Sequence, residues 1–178
     1  EGITVTVDGQ DGSDSDEDGN TNYQSLEFAL SRTIGNDSAI ALINIDDISI
    51  DNRTEWQPYH VPSFVKLKGN PANDIQIDAG GSNRVLIFDK TKGSSVEGLG
   101  IKGGKHLNGA GVYIKGSNPT FSNVIFNGNI AEKKGGALLS KDESDVNLEN
   151  VTFSGNTIES GFNGKEGAAV YSHNSNLS

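Results

Sequence analysis

The stretch NVIFNGN, residues 123–129, is repeated almost unchanged 27 residues later as NVTFSGN, residues 150–156. An earlier stretch, VEGLGIKGG at residues 96–104, shows the same apolar spacing when Ile101 is aligned with Phe126 and Phe153. Four columns then agree in three copies: Val96, Phe121 and Leu148; Leu99, Val124 and Val151; Ile101, Phe126 and Phe153; Gly104, Asn129 and Asn156. Repeats spaced by 25 and 27 residues are typical of a right-handed parallel β-helix, in which each coil buries its apolar face by stacking on the next.

A second repeated signal is a glycine turn that leads into a short strand. It occurs as GAGVYI (109–114), GGALLS (135–140) and GKEGAAVYS (164–172). The two signals together predict two or three strands per coil, separated by turns. We expect Phe126 to stack on Phe153 inside the cylinder. We also expect amide ladders at the bends, Asn123 with Asn150 and Asn129 with Asn156, because asparagine tolerates the left-handed conformation and its amide can bond the next coil.

Short strand-like runs fill most of the rest of the chain. They include ITVTV (3–7), IALINID (40–46), ISID (48–51), FVKLKG (64–69), IQID (75–78), VLIFD (85–89) and GVYIKG (111–116). Each run is rich in β-branched residues or alternates apolar with polar residues, and each is bounded by Gly, Asn, Asp or Pro. The segment YQSLEFALSR at residues 23–32 is instead predicted to form a short amphipathic helix, with residues 20–22 supplying its N-cap.

The predicted fold is therefore all-β, a right-handed parallel β-helix with an N-terminal capping strand and a short amphipathic helix. Residues 1–45 are assigned to the cap, with its acidic loop and first coil strand, and residues 46–178 to the coils. The final stretch HNSNLS ends where another core strand is expected to run. A β-helix must cover its last coil, since an open end is an unpaired edge over an apolar core. We therefore expect the parent protein to be longer, and the open coil to be a candidate surface for end-to-end self-association.

Composition excludes several classes of function. The 178 residues include no cysteine or methionine, which removes disulfides, thiolate metal sites and thiol nucleophiles. The formal net charge is -10, so a nucleic acid backbone or an anionic lipid surface would be repelled. No run of apolar residues is long enough to cross a membrane as a helix. Nucleic acid binding and membrane insertion are therefore not expected of this segment.

The repeats resemble those of a known group of surface proteins. GGAL at residues 135–138, with FNGN at 126–129 and FSGN at 153–156, resembles the Gly-Gly-Ala and Phe-x-x-Asn repeats of the polymorphic outer-membrane adhesins, which are autotransporter passengers. The copies GAGV at 109–112 and GAAV at 167–170 are degenerate. The strand, acidic loop and helix of residues 1–45 are similar to the entry module of pectin-lyase-like β-helices. The resemblance implies an extracellular or cell-surface location, with anchoring to the outer membrane through another part of the protein.

Enzymes also use this scaffold, and their catalytic residues are of recognisable types. Glycosidases need two carboxylates facing each other across the sugar, and polysaccharide lyases need an Arg or Lys base beside acidic calcium ligands. The polygalacturonase-like signatures Asn-Thr-Asp, Gly-His-Gly and Arg-Ile-Lys are missing. Asp46 and Asp47 are neighbours in the sequence, and neighbouring residues of a strand point to opposite faces. They are therefore expected to flank a turn rather than to act together on a substrate. His60, His106 and His173 have no partner at ligand spacing and are predicted to lie on the surface.

Two other groups of residues are candidates for ligand binding. The polar stretch RTEWQPYH carries Trp56 and Tyr59, whose rings could stack on sugar rings or on a partner protein. The alternative is a loop packed on the helix side of the solenoid. Lys102, Lys105 and Lys115 could form a basic row that meets an acidic sugar, but a solvated face is the favoured interpretation.

The acidic run DGQDGSDSDEDGN at residues 8–20 contains a candidate metal site. Asp14, Asp16 and Asp18 with the following glycine reproduce Asp-x-Asp-x-Asp-Gly, the first half of an EF-hand calcium loop. The bidentate glutamate of that loop belongs at the position of Ser25, so the match is incomplete. Calcium is thus the only cofactor that the sequence suggests, and the alternative is an acidic solvated loop.

Two functions from different classes follow from these observations. The first is a non-catalytic adhesin on the cell surface or secreted, in which this segment is the N-terminal β-helix portion of a larger passenger that binds a host-cell protein or glycan. The second is a carbohydrate-active β-helix enzyme, a polysaccharide lyase or hydrolase, or a fragment of one. The adhesin is favoured because the repeats resemble adhesin repeats and the catalytic signatures are missing. A viral or phage fibre segment would use the same fold.

Overall fold

A computed structural model describes residues 3–9, 12–14, 21–47, 56–159, 161 and 163–178. Within these residues the chain forms twenty strands and one short helix. Every pair of strands that hydrogen-bonds within a named sheet is parallel, and the sheets stack as a solenoid of about four turns. The predicted parallel β-helix is therefore confirmed.

The elements follow one another closely along the chain. The first ten strands are β1 (Thr4–Asp8), β2 (Asn22–Tyr23), β3 (Ala41–Asp47), β4 (Tyr59–His60), β5 (Val65–Gly69), β6 (Gln76–Asp78), β7 (Leu86–Asp89), β8 (Ser95–Glu97), β9 (Gly100–Lys102) and β10 (Lys105–Asn108). The other ten are β11 (Val112–Lys115), β12 (Thr120–Ser122), β13 (Ile125–Asn127), β14 (Ile130–Lys134), β15 (Leu138–Lys141), β16 (Asp145–Glu149), β17 (Thr152–Ser154), β18 (Thr157–Ile158), β19 (Val170–His173) and β20 (Asn176–Leu177). The helix α1 is Leu26–Arg32.

The strands form four walls. Wall 1 has the order β2-β1-β3-β5-β8-β12-β16-β20, and wall 2 has the order β17-β13-β9-β6. Wall 3 has the order β10-β14-β18, and wall 4 has the order β19-β15-β11-β7-β4. From β8 onward each complete coil contributes one strand to each wall, so a coil has four short strands rather than the predicted two or three. ISID at residues 48–51 lies outside the described residues.

The extra strands arise because each coil turns at four corners, each containing a residue of positive φ. The corner residues are Gly98, Asn123 and Asn150; Gly103, Gly128 and Gly155; Gly109, Gly135 and Gly167; and Lys90, Gly116, Asp142 and Asn174. Most are glycine or asparagine, the residues that adopt this conformation at least cost. Gly136, the second glycine of the GGA motif, is required for lack of space rather than for its backbone angles. A Cβ at this position would overlap the carbonyl oxygen of Ala168 in the next coil.

The core is built from the columns that the repeat predicts. Phe121 is in register with Val96 and Leu148, and Phe126 is in register with Ile101 and Phe153. The rings of Phe126 and Phe153 are stacked, with centroids 5.1 Å apart and planes 17° apart. The predicted aromatic stack is therefore confirmed.

Both predicted asparagine ladders are present, in different environments. The Nδ2 of Asn150 donates to Oδ1 of Asn123 at 2.6 Å on the surface, where both residues have positive φ. Asn129 is completely buried. Its Nδ2 donates to Oδ1 of Asn156 at 2.9 Å and to the carbonyl oxygen of Ile101 at 3.0 Å, and its Oδ1 accepts from the Gly104 amide at 3.0 Å. The buried ladder thus satisfies backbone groups of the preceding coil as well as the side chain itself.

A third ladder, made of hydroxyl groups, was not predicted. The backbone amide of Thr91 donates to Oγ of Ser117 at 2.9 Å, and the amide of Ser117 donates to Oγ of Ser144 at 3.2 Å. The amide of Ser144 continues the series to Oγ of Ser175 at 3.3 Å. These four residues follow the corner between wall 4 and wall 1, where no strand ladder satisfies the amides. The spacing of serine and threonine in the sequence follows the coil length but is hidden among other polar turn residues.

The N-terminal cap differs from the prediction in its helix boundary. The helix begins at Leu26 with Ser25 as N-cap, and Oγ of Ser25 accepts from the Phe28 amide at 3.2 Å. The prediction of a helix from residue 23 with an N-cap within 20–22 was wrong, because Asn22 and Tyr23 pair with β1 as a strand. The helix buries Leu26, Ala29 and Leu30. The assigned division at residue 45 falls inside β3, which pairs with β1 on one side and β5 on the other.

Candidate functional site

Wall 4 presents two outward columns of side chains. Its inward residues on β11, Val112 and Ile114, are completely buried, and neighbouring residues of a strand point to opposite faces. The register places Tyr113 between Ile87 and Leu139, and places Tyr171 beyond Leu139. The second column contains, in order, Asp89, Lys115, Lys141 and His173.

These columns border an open groove of about 380 Å³. Its lining is aromatic and basic, and consists of Arg84, Asn108, Tyr113, Lys134, Leu139, Lys141, Tyr171 and His173. Among these described residues the lining contains no carboxylate. The groove thus presents three cationic side chains, Arg84, Lys134 and Lys141, on a chain whose formal net charge is -10.

Tyrosine rings hold the cations of the groove in place. The guanidinium of Arg84 lies over the ring of Tyr113, 4.4 Å from its centroid, and Nζ of Lys141 lies 5.6 Å from the same centroid. Nζ of Lys134 lies 4.3 Å from the centroid of Tyr171 and donates a hydrogen bond to its hydroxyl at 2.9 Å. Cation–π contacts of this kind restrict long side chains that would otherwise be mobile.

Hydrogen bonds and two acidic residues complete the surroundings of these cations. Nε of Arg84 donates to the carbonyl oxygen of Asn108 at 3.1 Å. Nζ of Lys134 lies 3.1 Å from a carboxylate oxygen of Glu166, and Nζ of Lys141 lies 3.8 Å from a carboxylate oxygen of Asp142. Both carboxylates are about half-exposed, and exposed ion pairs contribute little to stability.

The protonation of the groove follows from these contacts. The hydrogen bond with Tyr171, helped by the one with Glu166, raises the pKa of Lys134. The hydrogen bond with Tyr113 raises the pKa of Lys141. Burial lowers the pKa of Arg84, but an arginine stays charged at neutral pH. The groove therefore contains three cations that stay protonated, which suits the binding of anions and does not suit a general base.

His106 borders this region and provides a test of pH dependence. Burial and the nearby charge of Arg84 lower its pKa from the ordinary value of 6.5, against smaller opposing effects of the Asn108 carbonyl and Glu132. His106 is half-buried, unlike the exposed His60 and His173, so its prediction as a surface residue was only partly correct.

We expect the folded protein to lose stability as the pH falls below 6.5, the ordinary histidine value. The unfolded chain then binds a proton that the folded His106 resists, so the stability is present above 6.5 and declines as the pH falls toward the folded pKa. Urea unfolding at about pH 7.5 and about pH 5.5 measures the change. The variant His106→Gln is expected to flatten it, and His60→Gln serves as the control. An equal change in wild type and His106→Gln would contradict this assignment.

The structure places the aromatic residues singled out by sequence against the core. Tyr59 is only 5% exposed, and Trp56 packs on the core with its ring 5.5 Å from that of Tyr59. Nε1 of Trp56 donates to the carbonyl oxygen of Arg84 at 2.6 Å. This arrangement is the loop packing that the sequence left as an alternative, and a ligand-binding role for these two residues stays a prediction.

Asp14 is the described member of the predicted calcium site. Its Oδ1 accepts from the amides of Gln24 and Ser25, each at 2.9 Å, and its Oδ2 accepts from Oγ of Ser25 at 2.6 Å. Asp16 and Asp18 lie outside the described residues. Among the residues that are described, no group of three or more His, Cys, Asp or Glu is placed to hold a metal ion. Calcium binding stays a prediction, and Asp14 has a structural role in orienting the start of the helix.

The lysines singled out by sequence are separated by the fold. Lys102 on wall 2 pairs with Asp78 at 3.3 Å, and Lys105 on wall 3 pairs with Glu159 at 2.8 Å. Lys115 lies on wall 4 beside Lys141. Asp46 accepts a hydrogen bond from Asn70 at 3.0 Å at the end of β3. The structure thus does not bring the three lysines into one row.

The residues that line the groove were missed by sequence reasoning, although a signal was present. Aligning GAGVYIK (109–115) with GGALLSK (135–141) and GAAVYSH (167–173) places Tyr113 with Leu139 and Tyr171. The same alignment places Lys115 with Lys141 and His173. Arg84 lies just before β7, and Lys134 is the last residue of β14 on wall 3. Neither belongs to a wall 4 strand, and no column of the repeat predicts them.

Comparison with known proteins gives a family match on β13, β14 and β15. Residues 123–141 match the model of the Chlamydia polymorphic membrane protein repeat. The chain is similar to the polymorphic membrane proteins. The matched segment begins at the exposed asparagine ladder, includes Asn129 and the GGA motif, and ends at Lys141 in the groove. Neither a curated protein nor a solved structure showed a significant match.

The likeness to polymorphic membrane proteins agrees with the β-helix and indicates a surface-exposed outer-membrane protein. Proteins of this kind are generally adhesin-like and non-enzymatic. In the part of the chain that the structure describes, no helix has both the length and the apolar character to span a membrane.

Proposed function

We propose that this chain is part of a non-catalytic surface adhesin that binds a host-cell protein or glycan through wall 4. The observation that carries the proposal is the groove on that wall, in which Arg84, Lys134 and Lys141 are oriented by tyrosine rings. The match to an adhesin-like repeat over residues 123–141 supports it, since that segment supplies part of the groove. Stacked coils with buried ladders provide a rigid support for such a surface.

The main alternative, a polysaccharide lyase, would need a basic residue that can take a proton at neutral pH. The contacts of Lys134 and Lys141 raise their pKa values, and Arg84 stays charged at neutral pH although burial lowers its pKa. All three are better suited to binding an anion than to taking a proton. We therefore favour binding over elimination at this site.

A cell-binding experiment tests the proposal. The fluorescently labelled chain is expected to bind cultured animal cells saturably, and unlabelled chain is expected to compete. The same chain, heat-unfolded, is the control for nonspecific adsorption. Absence of saturable binding to cells and to a glycan panel would contradict the proposal. Release of unsaturated uronate from acidic polysaccharides in a parallel assay would contradict its non-catalytic part.

A further inference from the structure

Wall 4 carries lysines on one outward column and in the groove beside it. Lys115 and Lys141 are register partners on adjacent strands, and His173 is the next partner. Like charges directly opposite each other destabilise a sheet. Asp89 faces Lys115 from the other side, and Asp142 lies beside Lys141, so the column is only partly balanced. Packing alone therefore gives no reason for a basic column beside a basic groove.

The cations of the groove are oriented and accessible at the same time. The side chains of Lys134 and Lys141 are 32% and 35% exposed, although each contacts a tyrosine ring. Because the rings hold the amines before a ligand arrives, less side-chain entropy is lost on binding. Hydrogen bonds from these charged groups to an anion are also charge-assisted, and therefore stronger than neutral ones.

The spacing of these groups suits a linear ligand. Arg84, Tyr113 and Lys141 belong to three successive coils of wall 4, and adjacent strands lie about 4.8 Å apart. The groove therefore crosses the coils, with Arg84 and Lys141 supplied by the coils on either side of Tyr113. A polymer with regularly repeated anionic groups can contact several cations of the groove.

The remaining lining favours a sugar over other anions. Asn108 and the hydroxyl groups of Tyr113 and Tyr171 are neutral partners for sugar hydroxyls, and Leu139 supplies an apolar patch. We propose that this groove binds an acidic glycan, whose carboxylate or sulfate groups pair with Arg84, Lys134 and Lys141. This inference rests on the proposed adhesin function and specifies its ligand class.

Binding of defined polymers to the immobilised chain tests the inference. The probes are a heparin oligosaccharide, which carries sulfate and carboxylate, hyaluronan, which carries carboxylate only, neutral dextran, and poly-glutamate as an acidic peptide. We expect at least one acidic glycan to bind, with an affinity that falls steeply as sodium chloride is raised, and dextran not to bind. Equal binding of dextran, tighter binding of poly-glutamate, or no dependence on salt would overturn the inference.

A pair of matched variants locates the site. Lys134→Gln with Lys141→Gln is expected to weaken binding of the acidic glycan about tenfold or more. Lys102→Gln with Lys105→Gln removes the same charge and two similar ion pairs from walls 2 and 3, and is expected to leave binding almost unchanged. Lys134→Arg with Lys141→Arg keeps the charge and is expected to retain most of the binding. An equal loss in both glutamine variants would overturn the inference.

The adhesin function is tested separately, by the cell-binding experiment. If cells are bound but neither acidic glycan is, or if the Lys134→Gln, Lys141→Gln variant binds cells normally, the ligand class is wrong and the adhesin proposal stands. If cells are not bound at all, the adhesin proposal itself fails.

Discussion

Replacing Phe126 with alanine is expected to lower the free energy of unfolding by about 3–5 kcal/mol. The side chain is completely buried, and its ring lies 5.7 Å from that of Phe121 and 5.1 Å from that of Phe153. It lies on β13, which pairs with strands on both sides, so the neighbouring coils cannot easily close the cavity. Urea unfolding followed by circular dichroism measures the loss.

Phe153→Ala is the matched control, because it removes the same ring from the next coil. Phe153 is only partly buried, so the change removes less buried area and is expected to cost clearly less. Phe126→Leu, which keeps most of the apolar volume, is expected to cost about 1–1.5 kcal/mol. If Phe126→Ala and Phe153→Ala cost the same, burial within the stack would not be the cause.

Replacing Asn129 with alanine is expected to cost about 3 kcal/mol, because it removes three side-chain hydrogen bonds, two of them to buried backbone groups of the preceding coil. The Gly104 amide and the Ile101 carbonyl lose hydrogen bonds of 3.0 Å, and Asn156 loses its side-chain partner. Each buried group left without a partner costs about 1–3 kcal/mol of folding stability. Part of the summed cost is recovered when the surrounding side chains relax or a water molecule enters the vacated space. The free energy of unfolding in urea is again the quantity measured.

The surface ladder provides the control for this prediction. Asn123→Gly removes the exposed amide but keeps a residue that tolerates the positive φ of 54° at that corner. We expect it to cost less than about 1 kcal/mol. In a double-mutant cycle, Asn156→Ala is expected to cost less in the Asn129→Ala background than in the wild type. Strict additivity would show that the buried ladder is not cooperative.

Much of the fold can be predicted from the sequence, because each coil repeats the pattern of the coil before it. The columns of Phe121, Phe126 and Asn129 identify the core, the aromatic stack and the ladders before any coordinates are considered. The helix start was misplaced because Asn22 and Tyr23 are held as a strand by β1, a tertiary contact that overrides the local pattern. The number of strands per coil was also underestimated, because positive φ at glycine and asparagine corners divides continuous apolar runs.

The sequence by itself determined the periodicity of this protein, and with it the parallel pairing and the identity of the buried columns. These features depend on residues at nearly constant spacing, which stacking coils place one above another. Only the tertiary structure decided the groove, because Arg84, Lys134 and Tyr171 come from different coils, the first from the segment before β7 and the other two from strands of different walls. It also decided that Asn129 is buried while Asn123 is exposed within one motif, since the direction of each side chain follows from the corner geometry of its coil.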